Sequence, residues 1–249
     1  MEKSILNIKN LSKIYHTKED ETLAVDNFSL TLKEGEFVAI VGPSGCGKST
    51  VLNILANLDQ KSNGEIELKK DIKIGYMLQQ DALFNWRTVL ENCLLGLELS
   101  NTLNKDSKQY VLDLLSTYGL NDFINNYPNT LSGGMRQRVA LIRTLATKPD
   151  LLLMDEPFSA LDYQTRLAVS DDVYNIIKKE KKAAIMVTHD IAEAISMADR
   201  VVVLSKRPSV IKNIVNIELT NKSNPIQNRK AKEFSNYYDL IWKEIDYHV

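Results

Sequence analysis

Two short stretches carry residue types at spacings suited to phosphate: Gly42-Pro43-Ser44-Gly45-Cys46-Gly47-Lys48-Ser49-Thr50 and Leu131-Ser132-Gly133-Gly134-Met135. In the first, Gly42, four residues and then Gly47-Lys48-Ser49 make the full P-loop pattern. Glycines there let the backbone curl until successive N–H groups converge on phosphate oxygens. The Lys48 ammonium can then reach the β- and γ-phosphates, and the Ser49 hydroxyl can sit on Mg²⁺. A helix starting near Lys48 adds the positive end of its dipole. Cys46 is read as a small filler turned away from the phosphates, with a redox switch as the sharper alternative. In the second stretch, Ser132 and the N–H groups near Gly133 and Gly134 read as a capped helix start, a natural anion site.

Two adjacent acids, Asp155 and Glu156, follow the apolar run Leu151-Leu152-Leu153-Met154. Neighbouring side chains in a strand face opposite ways, so the pair is expected to divide its tasks. Asp155 is expected to order a Mg²⁺ shell. Glu156 then points toward the terminal phosphate, where a carboxylate can polarise an attacking water. His189 follows another apolar run, Ala184-Ile185-Met186-Val187, and Thr188. If the two strands are parallel, both ends open on one crevice, and the imidazole can donate to the γ-phosphate and sense its loss. His16 and His248 lack such a setting and are read as structural.

These residues need a scaffold, and the pattern around them supplies one. Leu6 and Ile8 alternate with polar neighbours, as do Phe28, Leu30 and Leu32, which predicts half-buried strands of an antiparallel sheet. Phe37-Val38-Ala39-Ile40-Val41 is wholly apolar, as a strand buried on both faces should be. Val51, Leu52, Leu55 and Leu58 are spaced for one helix face just after the glycine loop. From about Arg87 to Ala146 the apolar spacing turns helical and strand-like runs disappear. Leu151–Met154, a helix containing Val169, Val173, Ile176 and Ile177, and Ala184–Val187 then form a parallel βαβ unit. Val201–Leu204 is a further buried strand, residues 220–232 a polar loop, and residues 234–245 a terminal helix. The run from Lys178 to Lys182 reads as the solvated end of a helix.

Composition narrows the field. With 249 residues, 44% of them hydrophobic and 25% charged, the chain can bury a core and is not disordered. A formal net charge of -1 provides no broad attraction for nucleic acid, so none is expected as a partner. No stretch approaches the ~20 apolar residues of a membrane span, and the first ten residues lack a signal peptide's apolar core. Cys46 and Cys93 make no disulfide framework, which points to a reduced, cytosolic setting.

Taken together, these residues resemble the nucleotide-binding subunit of an ABC transporter, over essentially the whole chain. The resemblance implies an α/β P-loop NTPase fold forming a single ATPase domain over residues 1–249. Residues 1–86 and 147–249 would make a RecA-like parallel core with an N-terminal antiparallel β-subdomain, and residues 87–146 an inserted helical subdomain. Leu131–Arg138 is similar to the family's signature loop, which implies that Ser132, Gly133 and Gly134 close on ATP held by an opposing subunit in a head-to-tail homodimer. Met135 stands where glutamine is commoner. Ser159-Ala160-Leu161-Asp162 is similar to the D-loop that couples the two sites. Gln79 matches the Q-loop glutamine, a γ-phosphate and Mg²⁺ contact. Tyr15 matches the aromatic that stacks on adenine, although a lone tyrosine also fits plain packing. The implied cofactors are ATP and Mg²⁺. The resemblance places Lys48, Gln79, Glu156 and His189 in catalysis, and Ser49, Gln79 and Asp155 at the metal.

Within the family, Gln79-Gln80-Asp81-Ala82-Leu83-Phe84-Asn85-Trp86-Arg87-Thr88-Val89 is similar to the nitrate, sulfonate and taurine importer branch, with Asn85 where proline is usual. Leu204-Ser205-Lys206-Arg207-Pro208-Ser209 also resembles that branch, with Ser209 where glycine is usual. The implied partners are a second ATPase subunit, permease subunits and, indirectly, an extracytoplasmic solute-binding protein. The implied location is the cytoplasmic face of the membrane. Trp86 is either a permease-docking anchor or a core tryptophan. The other classes considered are a soluble ATPase of DNA repair or translation, an exporter ATPase and a regulator that scarcely hydrolyses ATP. For the soluble class, the expected long coiled-coil insertion or second ATPase domain does not fit this length.

Overall fold

The computed structural model describes residues 4–16 and 20–245. Alternating apolar residues make β1 (Ser4–His16) and β2 (Glu21–Lys33), which pair antiparallel with Leu6 opposite Leu32 and Ile8 opposite Leu30. An all-apolar pentapeptide follows as β3 (Phe37–Val41), and the glycine loop leads into α1 (Lys48–Leu55). Next come β4 (Asn63–Leu68) and β5 (Ile74–Met77). The strand-free stretch then forms α2 (Val89–Leu99), α3 (Lys105–Thr117) and α4 (Gly133–Ala146). Strand and helix alternate thereafter as β6 (Leu151–Asp155), α5 (Tyr163–Lys179), β7 (Ala183–Val187), α6 (Ile191–Met197) and β8 (Arg200–Leu204). The chain closes with β9 (Ile211–Asn216), α7 (Pro225–Asn228) and α8 (Phe234–Glu244).

These strands make two sheets, an antiparallel one ordered β2-β1-β4 and a larger one ordered β5-β6-β7-β3-β8-β9. The first five strands of the larger sheet run parallel and β9 runs antiparallel along its edge. The period of two divides the core. Val38, Ile40, Leu151 and Leu153 face α1 and the antiparallel sheet. Ala39, Val41, Leu152 and Met154 face the layer built from α2 to α6 and α8. Each such side chain fully withdrawn from water contributes about 1.5–3 kcal/mol before the entropy of ordering is subtracted. This is a P-loop NTPase architecture. No helix among the described residues is long and apolar enough to cross a membrane.

Helix ends are set by local chemistry. Thr88 and Glu91 form a reciprocal capping box at α2, Asn104 and Ser107 another at α3, and Ser132, Asp162 and Asp190 each cap the helix that follows. Such caps contribute about 1 kcal/mol apiece. The spacing of Leu58 suggested a helix longer than the one formed. Asn57 takes φ 59°, the Leu58 N–H bonds the Asn53 carbonyl at 2.9 Å, and Leu58 is left 67% exposed. That is a left-handed helix stop, which ends α1 one turn short. The polar loop after residue 220 likewise contains α7, begun by Pro225 and capped by Asn224. Lys178, expected in solvent, instead donates to Asp199 at 2.9 Å. Asp199 also accepts from Lys222 and from the Phe37 N–H. Burial alone would raise the Asp199 pKa, but the bonds from Lys222 and Lys178 outweigh it and hold it low.

Two local constraints yield stability predictions. Gly64 has φ +93°, and a Cβ there would lie 2.4 Å from the Asn10 carbonyl oxygen in the bulge of β1. Gly64→Ala should therefore cost about 2–4 kcal/mol by urea unfolding, since strained backbone and backbone overlap add. A loss under about 1 kcal/mol would mean the bulge relaxes freely. On α6, Glu193 is only 3% exposed and accepts the Thr188 hydroxyl at 2.8 Å, with Asp190, Arg166 and Arg229 as its charged neighbours. Burial first, and Asp190 second, push its pKa from 4.5 to about 7. Between those values the folded chain holds a proton that the unfolded chain has released, so stability falls as pH rises through that window. Glu193→Gln should flatten this slope and raise stability at pH 8 by about 2–3 kcal/mol relative to pH 4. Unfolding titrations at both pH values measure it, and an equal change at each would refute the assignment.

Candidate functional site

The glycine loop begins where β3 ends and closes at Gly47, whose φ of 116° caps α1. A side chain at Gly47 would meet the Ala24 carbonyl oxygen at 3.0 Å, so the loop needs a bare backbone there. Lys48, the first residue of α1, is 6% exposed and its ammonium donates to the carbonyls of Gly42 at 2.8 Å and Pro43 at 2.9 Å. An open pocket of about 320 Å³ lies over the loop, lined by Ser44, Gly45, the residues from Gly47 to Thr50, Glu156 and Arg207. Cys46 turns into the core beneath the antiparallel sheet, and burial raises its thiol pKa despite the field of Lys48. Burial thus favours the thiol over the thiolate at this position.

Asp155 ends β6 on the same face as Leu151 and Leu153, the face against which α1 packs. That parity brings its Oδ1 to 3.0 Å from the Ser49 hydroxyl, which donates to it. Burial raises the Asp155 pKa, the Ser49 bond lowers it, and the neighbouring Glu156 charge raises it again. Glu156 separates from Asp155 for a different reason than strand alternation. It has already left the strand, with φ 43°, and its N–H bonds the Val187 carbonyl at 2.9 Å. Its Oε2 lies 3.2 Å from Gln79 Nε2, which donates to it, and 3.2 Å from His189 Nδ1. The end of β6, the segment after β5 and the segment after β7 thus meet on one carboxylate oxygen beside the P-loop pocket.

Tyr15 projects from β1 toward α1, its hydroxyl 2.8 Å from Asp59 Oδ2 and 3.3 Å from Thr50 Oγ1. Lys13, two residues earlier on the same strand face, sets its ammonium 4.6 Å from the ring centroid and bonds Asp59 at 2.6 Å. The aromatic ring is thus tethered beside the helix that starts in the glycine loop. His16 pairs with Glu21 on the exposed hairpin, in keeping with a structural role, and His248 lies outside the described residues.

The serine-glycine turn is set apart from this group. Ser132 caps α4 by accepting the Met135 N–H at 3.3 Å. Gly133 lines a second cleft of about 450 Å³, together with Gln79, Gln80, Asp81, Arg136, Gln137, Ser159 and Ala160. The two glycines differ. A Cβ on Gly134 would strike Thr165 Cγ2 at 2.4 Å, whereas one on Gly133 would meet nothing nearer than 3.8 Å. Packing of α4 on α5 accounts for the Gly134 position; among the described residues no close contact accounts for Gly133.

Several site residues had no signal in the sequence. Asn92 is fully buried, accepts the Phe84 N–H and donates to the carbonyls of Phe84, Arg87 and Thr88, so it sets the shape of the loop bearing Trp86. Trp86 itself is 74% exposed and stacks on Phe84 at 4.8 Å, which removes the core reading. Arg136 and Arg143 on α4 bind Asp81 Oδ2 and the Asp81 carbonyl, tying the segment after Gln79 to the helix behind the serine-glycine turn. Arg207 reaches the P-loop pocket from the β8–β9 connection. A buried polar side chain with several backbone partners, such as Asn92, betrays itself only once the loop around it is folded.

Comparison with known proteins places the chain in a family. Residues 25–159 match the ABC transporter family. The chain is 43% identical over 98% of its length to the uncharacterized ABC transporter ATP-binding protein YtlC of Bacillus subtilis, covering 96% of that protein. It is 38% identical over 95% of its length to the nitrate import ATP-binding protein NrtD of Synechocystis, covering 93% of it. Among solved structures it is similar to the ATP-binding cassette MJ0796, a dimer in a post-hydrolysis state bound to ADP and Pi, at 34% identity and a TM-score of 0.74, covering 86% of this chain and 99% of that one. This chain belongs to the ABC transporter family, as one of its ATP-binding, ATP-hydrolysing subunits.

Proposed function

We propose that the chain energises a membrane importer for a small solute of the nitrate, sulfonate or taurine kind, working as a head-to-tail homodimer. The observation that carries the catalytic part is the meeting of Gln79 and His189 on Glu156 Oε2 beside the P-loop pocket. Glu156 accepts a proton from the attacking water. Gln79 and His189 orient its carboxylate and lie close enough to register the terminal phosphate, and Lys48 neutralises charge as the phosphoryl group leaves. Hydrolysis of this kind needs positioning and charge compensation more than covalent chemistry.

The residues also fit Mg²⁺. Ser49 and Asp155 present hard oxygen donors 3.0 Å apart at the start of α1. Among the described residues no group of three or more His, Cys, Asp or Glu is arranged to hold a metal ion, so phosphate and water must complete the shell, as is usual for this cation. Ser49, Asp155 and Gln79 would hold it, and its chemistry is to neutralise charge on the phosphates. Tyr15 would stack on the adenine.

The open approach to Gly133 supports the dimer reading. A helix-capping serine followed by a glycine with no packing duty leaves room for an outside ligand, here ATP held by the twin subunit. The exposed Trp86, stacked on half-buried Phe84 in a loop fixed by Asn92, supports the loop after Gln79 as the seat of a permease helix, since an exposed aromatic on a rigid loop is a typical anchor. Residues 87–146 would be the inserted unit, carrying Gly133 and, through Asn92, bracing the loop that bears Trp86. The chain would then sit on the cytoplasmic face of the membrane, with a solute-binding protein acting outside. The solute type rests on the resemblance of residues 79–89 to the importer branch and on the similarity to the nitrate import protein.

Two variants test the reading. Glu156→Gln should bind ATP, accumulate as a dimer on size exclusion and lose at least about 100-fold in turnover, the usual range for removing a general base. Phosphate release at the parent rate would remove Glu156 from that role. Gly133→Ala should leave the monomer as stable as the parent or about 1 kcal/mol more so, because alanine suits a helix better. It should nevertheless reduce dimerisation and turnover together. Unchanged ATPase activity in this variant would count against a nucleotide roofed by Gly133.

A further inference from the structure

The P-loop pocket has one wall that the glycine loop does not provide. Between β8 and β9 the chain makes a braced strap. Its ends are joined by the Ser205 N–H to the Val210 carbonyl at 3.0 Å, and by the Val210 N–H to the Ser205 hydroxyl oxygen at 2.9 Å. That hydroxyl donates to the carbonyls of Lys206 and Pro208. Ser209 is fully buried, gives its N–H to the Ala24 carbonyl at 3.1 Å and accepts the Asp26 N–H at 2.9 Å. The strap is therefore fastened to β2 directly beneath Gly47, whose absent side chain would meet Ser209 Oγ at 3.2 Å. A serine in place of the branch's usual glycine adds a fastening here, because its hydroxyl also lies 3.3 Å from the Ala24 carbonyl.

Fastened in this way, the strap delivers Arg207 to the loop. Its Nε and Nη2 donate to the Gly45 carbonyl at 3.2 and 3.1 Å, and the side chain lines the P-loop pocket alongside Lys48 and Glu156. A loop that turns its N–H groups inward must turn carbonyls outward, and the fork of a guanidinium can satisfy one such carbonyl without exhausting its five donors. The remaining donors and the delocalised charge stay at the pocket mouth. A planar guanidinium suits phosphate oxygens better than any other side chain.

We propose that Arg207 is a further nucleotide-binding residue, whose guanidinium, held on the Gly45 carbonyl, supplies a second positive charge beside Lys48 to the phosphates of bound ATP. The inference deepens the reading of this pocket as the ATP site and rests on it. A charge at the mouth acts on the polyphosphate and not on the base, so its effect should grow from adenosine through ADP to ATP.

The test is a set of titrations with adenosine, ADP and a non-hydrolysable ATP analogue on the full chain, comparing the parent with Arg207→Ala, Arg207→Gln, Arg207→Lys and Lys48→Ala, each checked for folding by thermal melting. Arg207→Ala and Arg207→Gln should each weaken the triphosphate about five- to tenfold, weaken ADP less and leave adenosine alone, as expected for a lost charge-assisted contact. Arg207→Lys should fall between the parent and Arg207→Gln, because the charge remains but the planar fork does not. The glutamine variant is decisive: its amide can still donate to Gly45, so parent-like triphosphate affinity in Arg207→Gln would overturn the proposal. An equal loss for adenosine and triphosphate would overturn it too, by showing a distorted loop rather than a missing charge. Parent-like binding by Lys48→Ala would be a different failure, that of the pocket assignment itself.

Discussion

Three neighbouring strands, β6, β7 and β3, run parallel and end at one edge, and everything chemical in this molecule depends on that alignment. Asp155 lies opposite Val187, and Ile40 lies opposite Val187 on the other side, so the acid pair, the histidine segment and the glycine loop emerge at one level. The strands can do this only because both of their faces are apolar and covered, by α1 and the antiparallel sheet below and by the helical layer above. A polar residue within β3, β6 or β7 would have to face one of those covers. The first polar side chains therefore appear where the strands stop, which is also where the crevice opens.

At that rim, charge is held by backbone as much as by opposite charge. Lys48 is buried on two carbonyls, Asp155 on a hydroxyl, and the outward carbonyl of Gly45 is met by the Arg207 guanidinium. Burial lifts the Asp155 pKa, so its carboxylate gains from any cation that arrives with the phosphates. Glu156 is held at φ 43°, a conformation unfavourable for a residue with a side chain, and its carboxylate is shared by Gln79 and His189. Strain of this sort persists only where surrounding bonds over-determine it, and here the bond from Glu156 N–H to the Val187 carbonyl does so. From Gln79 the path continues through Asp81 to Arg136 on α4, so the carboxylate at one end and the serine-glycine turn at the other share a single short connection.

Much of this was legible in the sequence because it is written in local patterns. The glycine loop follows from its own spacing, β3 and β6 from unbroken apolar runs, and β1 and β2 from alternation. What was hidden depends on partners distant along the chain. The edge strand β9 has mixed residues because only one neighbour and one face constrain it, and β5 is four residues with a glycine among them. Leu58 kept the helical period but lost the helix to an asparagine able to adopt a left-handed turn. The separation of Asp155 from Glu156 was anticipated from strand alternation, yet the chain achieves it with a backbone turn. Arg207 and Asn92 lie 162 and 8 residues from the groups they hold, Gly45 and Phe84, and no spacing rule connects them.

Asp199 has an implication that reaches beyond stability. Placed just before β8, it gathers the start of β3, the last turn of α5 and Lys222 from the chain's final third, all at the margin of the sheet remote from the glycine loop. Nucleotide-driven displacement should therefore be smallest around this carboxylate, where three separate segments are held together.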